Sequence, residues 1–200
     1  MGKHGPETGQ HILQAALKRF ANAGYAATSV QQIVDDAKVS KPALYYHFGD
    51  KAGLFSALVH EAHDERYRVI REAAAKSRNI RQQLEHILTD LFAYVSHNRE
   101  LMRISFATMF AAPGEVPANL NYAGKCERNF EFIHSLIQQA RDNGELDGEF
   151  DSREMAFGFY GLTNFYFVSH LVKPGAAPDP TVPKRIVALF LSGAARKTSP

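Results

Sequence analysis

Apolar residues recur three and four apart along most of this chain. No stretch alternates with period two for long enough to form a strand, so the pattern predicts an all-α fold. Ile12, Leu13, Ala16, Leu17 and Phe20 make the first stripe, on a helix that Thr8 can cap, that runs to about Asn22 and that stops at Gly24. Thr28 and Gln31 have the spacing of a capping box, which opens a second helix at Val30 with Ile33, Val34 and Ala37 facing inward. Ser40 caps a third helix, expected over residues 41–47, and Pro42 falls in its first turn, where a missing N–H costs nothing. There Leu44 and Phe48 form the buried stripe, Lys41 and Tyr45 face outward, and Tyr46 borders the core.

Asp50 caps a fourth helix over residues 51–76, which leans on the first three through Leu54, Phe55 and Leu58. Further helical patterns cover residues 81–97, 100–112, 118–143, 152–172 and 182–196. Pro113-Gly114, Asn143-Gly144 through Gly148, and Pro174-Gly175 mark breaks between them. The spacing therefore predicts a domain over 1–50 and a larger helical one over 51–200. Residues 157–168, FGFYGLTNFYFV, carry six aromatics and no charge. A helix apolar all round must be covered all round, so a second copy of the chain is expected against Phe157, Tyr160 and Gly161. Ile186, Val187 and Phe190 of the last helix complete that expected dimer surface, a four-helix bundle with twofold symmetry.

The third helix is only about 10 Å long by its expected seven residues and holds only if its neighbours support it. A supported helix of that width fits a DNA major groove about 12 Å across. Lys38, Lys41, Tyr45, His47 and Lys51 can donate to phosphates or base edges, Pro42 and Ala43 offer small apolar surface to a thymine methyl, and Tyr46 can pack while its hydroxyl reaches a phosphate. Thr28, Ser29 and Ser40 lie at helix starts, where free N–H groups can meet the DNA backbone.

The order A-x-V-S-x-x-x-L-Y-x-H-F-x-x-K from Ala37 to Lys51, preceded by TSVQQI and followed by Leu54 and Phe55, resembles the TetR/AcrR family of bacterial transcriptional regulators over residues 12–58. The resemblance implies an N-terminal three-helix helix-turn-helix DNA-binding domain and a larger C-terminal helical domain for ligand binding and dimerisation. It also implies a cytoplasmic homodimer on a double-stranded operator, released by a small-molecule effector that tilts the fourth helix. One departure stands out: the family commonly has Gly at the turn, and this chain has Lys38, so the turn either holds a lysine at positive φ or differs.

Composition changes little. The chain has 200 residues with 23 basic against 21 acidic, so DNA binding must come from placement rather than bulk charge. From Lys38 to Lys51 there are three lysines against one aspartate. A single cysteine, Cys126, excludes an intrachain disulfide and a multi-cysteine zinc site. The start, MGKHGPETG, has no apolar core of a signal peptide, and no run is long enough for a membrane span. His60, His63 and Asp64 share a helical face but lack a completing ligand, so neither a metal nor a cofactor is expected. Phe106, Met109, Phe110, Tyr122, Phe130, Phe159 and Phe165, with Asn164 to orient, are the candidate lining of an effector pocket for an apolar or aromatic molecule. Two other readings compete: an all-helical enzyme or binding protein using that aromatic cavity, and an interaction protein whose helix-turn-helix meets another protein. No nucleophile–base pair, carboxylate dyad or phosphate loop supports the enzyme.

Overall fold

The computed structural model describes residues 5–118, 120, 122–146, 150–172 and 179–194. Gly148, Pro174, Gly175 and Arg196, invoked above as breaks or helix ends, lie outside the described residues. Those described form nine helices and no strand. They group into two compact units, Met1–His63 with Arg99–Ala123, and Asp64–Asn98 with Gly124–Pro200.

In the first unit, α1 (Pro6–Ala27) starts two residues before Thr8, with Gly5 at its cap and Pro6 in the first turn, and is broken at Gly24, φ 78. The Ile12, Ala16 and Phe20 stripe is buried, as its spacing requires. The capping box of α2 (Val30–Ala37) is made by Ser29 and Gln32, not Thr28 and Gln31. Ser29 N–H donates to Gln32 Oε1 at 2.8 Å and Gln32 N–H to Ser29 Oγ at 3.3 Å. Thr28 is taken elsewhere: its hydroxyl donates to Gly24 O at 2.7 Å, sealing the break in α1. Ser40 caps α3 (Lys41–Phe48) by accepting from Ala43 N–H. Asp50 caps α4 (Lys51–Ala74) by accepting from Gly53 N–H at 2.6 Å. The first turns of α4 give Leu54, Phe55, Leu58 and Val59 to the same core, and α6 (Arg99–Thr108) adds Leu101 and Ile104 while packing on α1.

The turn between α2 and α3 keeps its lysine. Lys38 adopts φ 54, ψ 44, and its N–H and that of Val39 close the end of α2 on Val34 O. A side chain in that region costs about 1–2 kcal/mol. Lys38→Gly is therefore expected to raise the unfolding free energy by up to about 1 kcal/mol, after the extra chain entropy of glycine is deducted; denaturant melts of the two proteins check this.

In the second unit, α5 (Ile80–His97) packs on α8 (Ser152–Val172) and α9 (Val182–Ala194), and α7 (Ala123–Asp142) contributes Ile133 and Ile137 to the buried set. Phe92 meets Phe167 edge-on at 4.7 Å and Phe159 meets Phe190 at 5.2 Å. Ile186 and Val187, expected on a partner-facing surface, are instead buried in their own unit, 1% and 0% exposed. They sit on the stripe of α9 that faces inward, whereas Ala188 and Leu189 lie on its exposed side. Along α8, Phe157, Gly161, Phe165, Val168 and Val172 are exposed at spacings of three and four, forming one apolar stripe.

Asp64 joins α4 to α7 inside this unit, accepting from Lys125 Nζ at 2.7 Å and Arg128 at 2.7 Å. Burial pushes its carboxyl up, but the hydrogen bonds and charges of Lys125 and Arg128 outweigh that and hold it below the ordinary value. A depressed folded pKa means the stabilisation is complete above the unfolded value of about 4 and drains away as pH falls through the folded one. Asp64→Asn is expected to flatten the loss of stability below pH about 4, measured by denaturation across the acid range.

Candidate nucleic-acid interface

The eight residues of α3 present two chemically different sides. Ala43 and Leu44 are 4% and 0% exposed, Leu44 in one apolar cluster with Ile12, Ile33 and Val34, while Lys41, Pro42, Tyr45 and Tyr46 face outward. Tyr46, expected to border the core, is 72% exposed and projects further than Tyr45 at 48%. Ala43, expected to offer its methyl to a base, is in the core instead, because it lies one residue before the buried Leu44 and shares its side of the helix. The outward face is thus 41, 42, 45 and 46, at the i, i+1, i+4, i+5 spacing of one helical side.

Two flanking residues turn away from the surface. Lys51, expected to reach a phosphate, donates its ammonium to Tyr25 O at 3.0 Å and Thr28 O at 2.8 Å, and lies 4.3 Å from the centre of the Tyr25 ring. It serves the carbonyls that the broken end of α1 leaves without helical partners. Thr28 is 2% exposed and its hydroxyl points inward, so the helix start of α2 is presented by Ser29 alone. His47 is half-buried, with its ring against Gly9 of α1 and edge-on to Tyr46 at 5.2 Å. Its Nε2 is buried without a hydrogen-bond partner among the described residues. Lys38 and Ser40 are exposed, at the turn and at the first cap of α3.

Residues that spacing did not single out hold this surface in place. Arg19 of α1 and Asp36 of α2 form a two-pronged pair, Nη2 to Oδ1 at 2.7 Å, which holds the Asp36 carboxyl below its ordinary range. The sequence carried no sign of that pair beyond two opposite charges on exposed faces. The inward role of Lys51 was foreshadowed by Gly24, since a helix broken there needs a donor for its last carbonyls.

The effector candidates divide between the two units. Phe106, Met109, Phe110 and Tyr122 belong to the first unit, where Phe110 is 84% exposed and Tyr122 packs edge-on to His63 at 5.0 Å. Phe130, Phe159, Asn164 and Phe165 belong to the second, where Phe130 and Phe159 are buried and Phe165 stands on the exposed stripe of α8. His63 is buried and within hydrogen-bond distance of Ser105, 3.2 Å, and Cys126 is half-buried.

A short helix, rooted by its apolar side and carrying a lysine, a proline and two tyrosines on the other, behind a capped turn, defines a helix-turn-helix protein of the DNA-binding regulatory class. Residues 12–58 match the description "Bacterial regulatory proteins, tetR family". The transcriptional repressor KstR2 of Rhodococcus jostii is 27% identical over 97% of this chain and 93% of its own length. The transcriptional activator FasR of Mycolicibacterium smegmatis is 30% identical over 66% of this chain, which spans 59% of FasR. FadR of Bacillus subtilis, solved with stearoyl-CoA, superimposes with a TM-score of 0.76 at 16% identity, over 92% of this chain and 98% of that one, a likeness of fold. The chain belongs to the TetR family of transcriptional regulators.

Proposed function

We propose that this protein is a cytoplasmic, homodimeric repressor that lays α3 of each subunit into successive major grooves of a pseudo-palindromic operator and releases it when a small apolar or aromatic effector binds. The observation that carries the reading is the two-sided α3, rigidly held on Leu44 and open to solvent at Lys41, Pro42, Tyr45 and Tyr46. Repression is supported by the similarity to KstR2, which extends over nearly both chains. An apolar effector is supported by the fold shared with FadR, solved with stearoyl-CoA, and by the buried Phe130 and Phe159 of the second unit, with Asn164 to orient it. Among the described residues no helix is long and apolar enough to cross a membrane.

Dimerisation is assigned to the α8 stripe of Phe157, Gly161, Phe165, Val168 and Val172, with Tyr160 at its edge and Leu189 and Phe190 of α9 beside it. A patch of this kind marks an interaction surface. A single reading head is too weakly charged to hold DNA alone, so the two functions are testable together. The wild-type protein is expected to sediment as a dimer and to bind a fragment from its own upstream region with strongly salt-dependent affinity. Phe165→Glu is expected to give a monomer that loses that binding. A Phe165→Glu protein that remains dimeric, or salt-insensitive binding by the wild type, would overturn the reading.

The enzyme alternative gains one observation and loses it again. Glu131, His134 and Ser152 form a chain, with His134 Nδ1 3.1 Å from Glu131 and Nε2 3.0 Å from Ser152 Oγ. However, the Ser152 hydroxyl donates to Gln138 Oε1, so its proton is not offered to His134. A serine whose proton is already committed elsewhere is not activated by that base. The N–H groups of Arg153 and Glu154 beside it are bound by Asp151 Oδ1, which leaves no donor pair there for an oxyanion.

A further inference from the structure

We propose that the first unit carries a binding site for a small organic ammonium ion, in a groove between the end of α1 and the end of α6, independent of any effector held by the second unit. The groove has a volume of about 300 Å³, at the lower end of the range for small-molecule sites. Its floor is aromatic: Phe55 meets Phe20 and Tyr25 edge-on at 5.2 and 5.1 Å, and Phe20 and Tyr25 lie tilted to each other at 5.9 Å. Its walls are low because they are built largely of alanines, Ala107 and Ala111 on the side of α6.

On the side of α6 the groove carries negative charge. Helix α6 ends at Thr108, which lines the groove, so the negative end of its dipole lies there, whereas the end of α1 is already met by the Lys51 ammonium. Glu115 supplies the only formal charge among the described lining residues. One of its oxygens accepts from Ala112 N–H at 2.9 Å, and the carboxylate retains further lone pairs for a donor. Aromatic faces attract cations as well; the Tyr25 face is taken by the Lys51 ammonium at 4.3 Å, which leaves the Phe20 and Phe55 rings to the groove. An anion of the same shape meets repulsion from Glu115 and from the end of α6, while a neutral molecule gains only burial of its apolar part. The chemistry selects a compact aromatic or alkyl body bearing a primary ammonium that reaches Glu115.

The backbone bordering the groove, Gly24 to Ala27, leads directly to the Thr28 and Ser29 positions that start α2. An occupant therefore braces the corner from which the reading head is hung, and binding to the folded chain alone raises its melting temperature.

The test uses the full-length protein and two isosteric probes, 2-phenylethylamine and 3-phenylpropionate, followed by calorimetry and thermal melting. The amine is expected to bind one site per chain and raise the melting temperature, with the carboxylate at least about tenfold weaker. Glu115→Gln, which keeps an oxygen for Ala112 N–H, is expected to weaken the amine about tenfold. Ala107→Phe is expected to abolish binding by filling the groove; if that variant does not fold, Ala111→Leu makes the same test. The proposal is overturned if the amine shows no saturable binding, if both probes bind equally, or if either groove-filling variant binds the amine as the wild type does.

Discussion

The double substitution Lys41→Ala, Tyr46→Ala is expected to cost operator affinity about a hundredfold or more while leaving the dimer and its melting temperature nearly unchanged. Both side chains stand on the outward face of α3, with Tyr46 72% exposed. Surface changes of that kind shift stability by about 0.5 kcal/mol or less. Contacts to base edges are worth about 1–3 kcal/mol each, and two of them lost together give the stated factor. The single variants carry further information. Loss at a phosphate contact weakens all sequences alike and lowers the salt slope by about one, whereas loss at a base contact relaxes preference at one position. Lys41, at the first turn of α3, is suited to either role; Tyr46, a turn later, reaches over the same face. Retention of wild-type affinity by the double variant, measured by fluorescence anisotropy at two salt concentrations, would show that α3 is not the reading helix.

How much of this was legible beforehand depends on how local each feature is. The helix order, the caps at Ser40 and Asp50 and the buried Ile12, Leu44 and Leu54 follow from short-range spacing and stand in the structure as spacing requires. The capping box slipped by one residue because Thr28 and Ser29 are both competent caps. What decides between them is a carbonyl four residues back, at Gly24, which only the broken helix leaves open. Tyr45 and Tyr46 were ordered wrongly because a helix of two turns leaves its inner face uncertain by one position until its packing partners are known. Phe106, Met109 and Phe110 stand out in the sequence as apolar and aromatic residues of a middle helix. However, α6 ends at Thr108, just ahead of Pro113-Gly114, and so releases Met109 and Phe110 to solvent. Such facts belong to contacts distant in sequence, such as α6 on α1, which spacing does not encode.

Lys51 is where the sequence and the structure give competing accounts, and Lys51→Met separates them. As a phosphate contact, its loss would leave stability intact and lower the salt slope of DNA binding by about 0.9. As an internal latch, its loss takes the ammonium from part-buried Thr28 O and leaves Tyr25 O with only the Thr28 N–H at 3.3 Å. Stranding buried carbonyls costs about 1–3 kcal/mol each, and methionine keeps most of the apolar stem while supplying no donor. The expected result is a loss of about 1–3 kcal/mol in unfolding free energy with the salt slope unchanged. The latch also explains a mechanical property: the first residue of α4 grips the corner that sets the position of Ser29 and the start of α2. A displacement of α4 at its first turn must then move that corner or break two hydrogen bonds. In the Lys51→Met protein an effector that acts by this route should lose its hold over DNA binding even where α2 and α3 remain folded, which a release assay with a saturating effector would read directly.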